Sequence, residues 1–355
     1  MNYFNKNKIA IFSDIHIGVH HDSKFWHDVS LDWANWFIQE LKQRDIRDIV
    51  FCGDYFHTRD EISVDSLHFG SKLLELFSDF NLTMIVGNHD CFLKDSSDVN
   101  SLSPFKNWKN VTVVDTMKTV KSHDKDINFV PWGIKIDEIP VADVTFGHFE
   151  IVMFKMNSFA LCEEGFDADS LLMKSPTVFS GHFHLRDEKF YDNGRIVYVG
   201  NPFQTDYNDA GSTKGFYIWD VETDEFEFIE NEKSPKHNNV QLSHLISEGG
   251  ITQNVVDIFK NNLVKFKVDR KITSEDMEFI LYKLRELNPT DLKIEYESIG
   301  CEYGLEEERK DFSGIDISQA IIEYIELMDM NNKEEIIQCA MEIFNKAKND
   351  DARKF

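Results

Sequence analysis

Apolar residues occur in short runs that stop abruptly at polar loops, and this punctuation organises the first two hundred residues. Residues 8 to 13, Lys-Ile-Ala-Ile-Phe-Ser, read as a strand ending at Asp14-Ile15-His16. Residues 48 to 52 read as a second strand that runs into Gly53-Asp54-Tyr55-Phe56-His57. Residues 82 to 86 read as a third, which runs into Gly87-Asn88-His89-Asp90. β-Branched and aromatic side chains suit a buried strand, whereas glycine followed by Asn, His and Asp cannot continue one. Between the strands, residues 25 to 43 carry Trp26, Val29, Leu31, Trp33, Trp36, Phe37 and Leu41 at helical spacing, and residues 64 to 77 form a second amphipathic segment. Strand, helix, strand, helix, strand with short connections predicts βαβ units in a layered α/β fold. Ligands of such folds gather at the carboxyl ends of the strands.

Later apolar runs are shorter and closer together, at 111–114, 127–131, 144–147, 178–181, 196–200, 215–221 and 225–229. They predict a mainly antiparallel second sheet stacked on the first, a sandwich with helices outside. Two end in polar exits of the same kind, Gly147-His148-Phe149-Glu150 and Gly181-His182-Phe183-His184. Residues 231–239, polar and containing Pro235, read as a linker out of a main domain spanning 1–230. Within 240–312, alternating strands at 263–268 and 291–296 flank a helix at 274–287, with Ser274 as its N-cap and Pro289 as its stop, which makes a small βαβ-like unit. A C-terminal segment, 313–355, holds two helices at 317–328 and 333–348, joined by Asp329-Met330-Asn331-Asn332. Their apolar faces, with Ile322 and Ile325 on one and Ile336 and Met341 on the other, need cover from the chain itself or from a partner.

With 355 residues, 42% of them apolar and thirty of them Phe, the chain has enough material for a large core with appended units. A net charge of -25 speaks against gripping phosphate backbones through a broad basic surface. Carboxylates gathered around divalent ions would add to that count without repelling a ligand at the site. Five scattered cysteines without a paired spacing fit a reducing, cytoplasmic setting. The first residues lack the apolar core of a signal peptide, and no uninterrupted apolar run could cross a bilayer, so no membrane association is expected.

Any single His or Asp in these exits could be a packed ring or a turn former. Five exits each carrying ligand-type residues are a different matter, because turns do not require them at all five. The inventory of Asp14, His16, Asp54, Asn88, His148, His182 and His184 offers oxygen and imidazole donors without thiolate. That set suits manganese, iron, zinc or magnesium rather than a structural zinc site. A carboxylate shared between two ions about 3.5 to 4 Å apart could hold both an attacking water and the phosphoryl oxygens, which makes phosphoester hydrolysis the expected reaction.

The order Asp14-x-His16, Gly53-Asp54, Gly87-Asn88-His89-Asp90, Gly147-His148 and Gly181-His182-x-His184 resembles the five motifs of the calcineurin-like metallophosphoesterases. The resemblance implies an α/β (α+β) fold, a four-layer β-sandwich flanked by helices, followed here by the small α/β capping domain and the C-terminal helical hairpin. It implies one metal held by Asp14, His16, Asp54 and His184 and another by Asp54, Asn88, His148 and His182. His89 would contact the phosphate and protonate the leaving oxygen, oriented by Asp90. Where protein phosphatases of this fold carry Asp-Arg-Gly, this chain has His57-Thr58-Arg59, and His57 resembles the extra active-site histidine of DNA-repair nucleases. As an alternative, His57 is a loop residue that supports Asp54. Arg59, Lys94, Lys155 and Arg186 lie near motif loops and are candidates for contacting substrate.

The capping unit and terminal hairpin are similar in size and order to those of the SbcD-like repair and recombination nucleases, most of all the phage recombination endonuclease subunit. That likeness implies a two-metal DNA nuclease, using manganese or else magnesium or another divalent ion, exonucleolytic on duplex and endonucleolytic on single-stranded DNA. It further implies an SMC-like coiled-coil ATPase partner docked through 313–355, a homodimer through helices of the first domain, and, for a phage protein, the host cytoplasm. Two rival readings remain: a hydrolase of a small phosphodiester or phosphoprotein, and a non-catalytic scaffold for the ATPase.

Overall fold

The structure, a computed structural model, describes residues 2–157, 160–247 and 249–297, together with 322, 325, 333, 334 and 336–341. The chain divides into two compact units, Met1–Ile299 and Gly300–Phe355. The described residues of the second unit are helical, and most of the expected helix 317–328 and the end of 333–348 lie outside the described residues. The rest of 313–355, and the partner contact expected there, lies outside the described residues. Among the described residues no helix is long and apolar enough to cross a membrane.

In chain order the strands are β1 (Lys8–Phe12), β2 (Asp48–Phe51), β3 (Asn81–Ile85), β4 (Cys91–Leu93), β5 (Ser96–Asn100), β6 (Val111–Val114), β7 (Lys118–Ser122), β8 (Lys125–Val130) and β9 (Val144–His148). There follow β10 (Thr177–Gly181), β11 (Asp187–Tyr191), β12 (Gly194–Tyr198), β13 (Gly215–Asp220), β14 (Phe226–Glu230), β15 (His237–Gln241), β16 (Leu263–Val268) and β17 (Asp291–Tyr296). The first sheet runs β14-β13-β1-β2-β3-β6, with β1, β2, β3 and β6 parallel. The second runs β11-β12-β10-β9-β8-β7, and its four inner strands are also parallel, only the edges β11 and β7 being antiparallel. The expectation of a mainly antiparallel second sheet is therefore wrong. Close spacing looked like hairpins, but the chain crosses over between β8, β9 and β10, using a 3-10 turn at Ile136–Glu138 and the helix Ala168–Leu172. The carboxyl ends of the parallel strands in each sheet consequently share one edge.

Alternation along β1 shows the layering: Ile9 and Ile11 face the second sheet, and Ala10 and Phe12 face the outer helices. Between the sheets the Phe146 ring lies 5.3 Å from Phe179 and 5.6 Å from Trp219. Outside the first sheet, helix Lys24–Gln43 buries Trp26, Trp33, Trp36 and Phe37, each Phe37-like burial contributing roughly 1.5–3 kcal/mol. Its aromatic face thus belongs to the chain's own core. Leu31, Val64 and Leu67 are the larger apolar residues left exposed on this helix and on Val64–Leu76. Outside the second sheet, helix Ala168–Leu172 and the loop after β9 cover Val178, Ile196 and Tyr198, which completes four layers.

The third sheet, β15-β16-β17, is parallel throughout. Helices Leu242–Ser247 and Gln253–Phe259 connect β15 to β16, and Ser274–Glu286 connects β16 to β17. The latter is capped by Thr273, whose hydroxyl accepts from Asp276 N, rather than by Ser274. The linker is shorter than composition suggested, since His237–Asn239 already pair with Leu263–Lys265. Polar Asn238 and Asn239 fit an edge strand because pairing uses the backbone, which any side chain allows.

Candidate metal centre

All seven expected ligand residues meet where the strands exit. Asp14 and His16 follow β1, Asp54 follows β2, Asn88 follows β3, His148 ends β9, and His182 and His184 follow β10. The backbone there is not extended: φ is 55° at Asp14, 48° at His16, 63° at Asp54 and 92° at His182. A left-handed conformation costs an ordinary residue about 1–2 kcal/mol, so the surroundings must impose it. The first two exits are zipped together by Asp14 N donating to Gly53 O at 2.9 Å and Ile17 N to Tyr55 O at 2.8 Å. Left-handed turns aim Asp14 and His16 inward. Glycine is required at position 53, where φ is 103° and a Cβ would fall 2.3 Å from His148 Nδ1.

The hydrogen bonds leave an excess of lone pairs in the middle. His148 Nδ1 lies 2.7 Å from the Cys52 carbonyl, which can only accept, so the neutral ring presents a bare Nε2 inward. His182 Nε2 lies 3.2 Å from Glu150 Oε1 and leaves its Nδ1 facing inward in the same way. Both inward nitrogens lie 2.8 Å from the Asn88 side chain, and His148 Nε2 lies 3.3 Å from Asp54 Oδ2. Turning the Asn88 amide brings its NH2 against these three acceptors and its oxygen 2.6 Å from Arg59 Nη2. Two amide protons still cannot serve three acceptors. A cation could, with the Asn88 oxygen turned inward, and outer-nitrogen bonds of this kind are how ligating histidines are held.

The second group lies beside the first. His16 Nε2 is 2.9 Å from His184 Nε2, 3.7 Å from Asp54 Oδ2 and 4.0 Å from Asp14 Oδ1. Asp54 Oδ2 thus faces both groups, the place a bridging oxygen would occupy. Burial, reinforced by the Asp54 charge, pushes Asp14 up to about 7. Burial pushes Asp54 upward too, but His148 and His16 outweigh it and hold that carboxyl below its usual range. Burial disfavours charge on His148, yet Asp54 prevails and raises it to about 9, whereas burial takes His184 down to about 4. Without cations, protons on His148 and Asp14 supply the positive charge that this donor set needs, and two divalent ions fit it.

Around this core, His89 N donates to Asp54 Oδ1 at 2.8 Å, and its ring centroid is 4.8 Å from that of His16. His89 Nδ1 lies 2.5 Å from the His57 carbonyl, which fixes the tautomer and leaves Nε2 for a ligand. Asp90 does not orient this ring. Its Oδ1 accepts from Tyr55 N and Phe56 N, and its Oδ2 from Asp54 N and Gly87 N, at 2.9 to 3.2 Å, so it shapes the Asp54 loop. The His57 ring lies 5.6 Å from His16, at the rim of the same cluster. Arg59 bonds Asn88 only when the amide oxygen is turned outward, away from the cation position, whereas Arg186 is committed to Glu188, Tyr217 and the face of Phe228. Lys94 and Lys155 are exposed.

Two residues gain importance only in three dimensions. Glu150 holds the His182 ring, and its signal was its place two residues after His148 in the same exit. Trp132 leaves β8, a sixth exit without a ligand, and stacks 5.3 Å from His182. A cleft of about 260 Å3 lined by Met156, His182, His184 and Asp206 opens beside the centre.

Residues 7–208, more than half of the chain, match the family described as calcineurin-like phosphoesterase. The chain is 26% identical over 301 residues to Exonuclease subunit 1 of Enterobacteria phage T4, covering 81% of this chain and 86% of that protein. Among solved structures it is similar to an archaeal phosphodiesterase, with 14% identity, 63% of this chain and 99% of that one covered and a TM-score of 0.36. It is also similar to a dimetal phosphatase of Danio rerio, with 10% identity, 65% and 96% covered and a TM-score of 0.39. The chain belongs to the calcineurin-like phosphoesterase family and is a metal-dependent phosphoester hydrolase.

Proposed function

We propose that the chain is a DNA nuclease that hydrolyses phosphodiester bonds at two divalent ions, manganese being the first candidate. The observation that carries this reading is the extent of its similarity to the phage exonuclease subunit: 301 aligned residues cannot fit within 7–208, so the likeness runs on beyond the phosphoesterase region. Asp14, His16, Asp54 and His184 would hold one ion, and Asp54, Asn88, His148 and His182 the other. Ions bound there supply Lewis-acid polarisation of a phosphoryl oxygen and lower the pKa of water towards neutrality.

The protein's own groups do the rest. The Cys52 carbonyl and Glu150 keep the His148 and His182 rings turned inward. His89, its Nδ1–H donated to the His57 carbonyl, turns Nε2 outward, and as an imidazolium it would pass the Nε2 proton to the leaving oxygen and be left as the neutral ring. Arg59, half-buried beside Asn88, is the basic group best placed for a phosphate oxygen. A net charge of -25 fits a division of labour in which an SMC-like ATPase, docked through 313–355, supplies much of the DNA-binding surface. Leu31, Val64 and Leu67 offer a surface for a homodimer.

Purified protein with manganese should degrade linear duplex DNA and cleave a chromogenic phosphodiester. Activity confined to the small substrate would refute the nuclease reading and favour a small-molecule phosphodiesterase, which the acidic surface would also suit.

A further inference from the structure

Behind His184 lies a buried ion pair that belongs to none of the five motifs. The Lys214 and Asp209 side chains are 3% and 4% exposed, with Nζ 2.6 Å from Oδ1. Lys214 Nζ also donates to the main-chain oxygen of His184 at 2.7 Å, and Asn201 N donates to the same oxygen at 3.3 Å. Asp209 Oδ2 accepts from Thr205 N at 2.9 Å, Thr205 Oγ1 at 3.2 Å and Asn201 Nδ2 at 3.3 Å. From the same loop the Thr205 carbonyl meets His20 Nε2 at 2.8 Å. His20 sits in the left-handed turn that follows His16, with φ of 56°. One network therefore runs from the main chain of His184 to the ring of His20 in the turn after His16.

Stability alone does not account for an ion pair in this position. Apolar residues of similar volume usually serve a core as well or better, because both charges must otherwise be stripped of water. They would lack the directed N–H bond to the His184 carbonyl. Lys214 is also firmly placed, since Gly215 next to it opens β13, which pairs with β1 from Ile11↔Tyr217 to Lys8↔Asp220. We propose that Lys214 and Asp209 are positioning residues that set His184, and through Thr205 and His20 also His16, for one of the two divalent ions. This rests on the metal-centre reading above.

The test is calorimetric titration of manganese chloride into chelator-stripped full-length protein, with thermal unfolding run alongside. Wild type should show two sites. The double variant Lys214→Met/Asp209→Leu, which leaves no unpaired charge, should remain folded while one site weakens about 10- to 100-fold and the other stays as it was. Glu150→Gln, acting on His182, should weaken the other site, and combining the changes should weaken both. His20→Ala, at an exposed ring, should weaken the same site as the double variant and decides the matter if the latter does not fold. Unchanged affinities, or equal weakening of both sites, would overturn the positioning role. A wild-type protein that takes up no manganese would instead overturn the metal-centre reading, and the proposal with it.

Discussion

Asp90→Asn separates two jobs that one carboxylate could have. Each Asp90 oxygen accepts from two backbone amides, Tyr55 N and Phe56 N on one side, Asp54 N and Gly87 N on the other. Whichever way an asparagine amide turned, its NH2 would face two N–H donors and leave both without an acceptor. A buried amide left unsatisfied costs about 1–3 kcal/mol, so the change should cost about 2–6 kcal/mol, a large part of the 5–15 kcal/mol typical of a domain. Because Asp54 is held by this loop, manganese affinity should fall together with stability. Urea unfolding of the metal-free protein measures the first quantity and a manganese titration the second. If Asp90 instead oriented His89, the variant would keep its stability and metal affinity and lose only turnover. That outcome would refute the scaffolding role argued from the four amides.

His89→Gln should lower cleavage of DNA about 10²- to 10⁴-fold while leaving two metals per chain by elemental analysis, and undiminished cleavage would remove it as the acid. A substrate with a good leaving group should be affected less. Gly53→Ala should abolish metal uptake, since its methyl group would collide with His148 at a φ that alanine avoids, and a normal manganese isotherm would contradict the packing. In the metal-free protein His148 is raised to about 9 and Asp14 to about 7, so near neutral pH the first carries a proton and the second does so in part, and cations must displace them. Apparent manganese affinity should accordingly rise with pH, and calorimetry in buffers of different ionisation enthalpy should register proton release. Heats independent of the buffer would refute this.

The meeting of these seven residues was legible in the sequence because metal chemistry restricts residue type and strand exits restrict position. The parallel second sheet was not, since a run such as Val144–His148 looks the same whether its neighbour doubles back or crosses over. Asp90 misled through adjacency: following His89 in the chain, it turns away from that ring to collect amides from the Asp54 loop. Lys214 and Asp209 carried no spacing signal, as Lys214 meets the main chain of His184, thirty residues away, and Asp209 meets Lys214 and the Thr205 backbone. The Trp26, Trp33 and Trp36 helix showed an apolar face without saying what would cover it, and only the sandwich supplied the cover.

The two sheets contribute unequally to the donor set, and that division has a consequence for how the protein assembles. Asp14, His16, Asp54 and Asn88 leave the first sheet, while His148, His182 and His184 leave the second. Neither sheet alone offers a full set of donors, so tight cation uptake must wait until chain segments as distant as residues 14 and 184 have docked. Such long-range closure is among the slow events of folding. Ions bound by that set would act as a clasp across the seam of the sandwich, stabilising the joined state by mass action and slowing the separation of its halves.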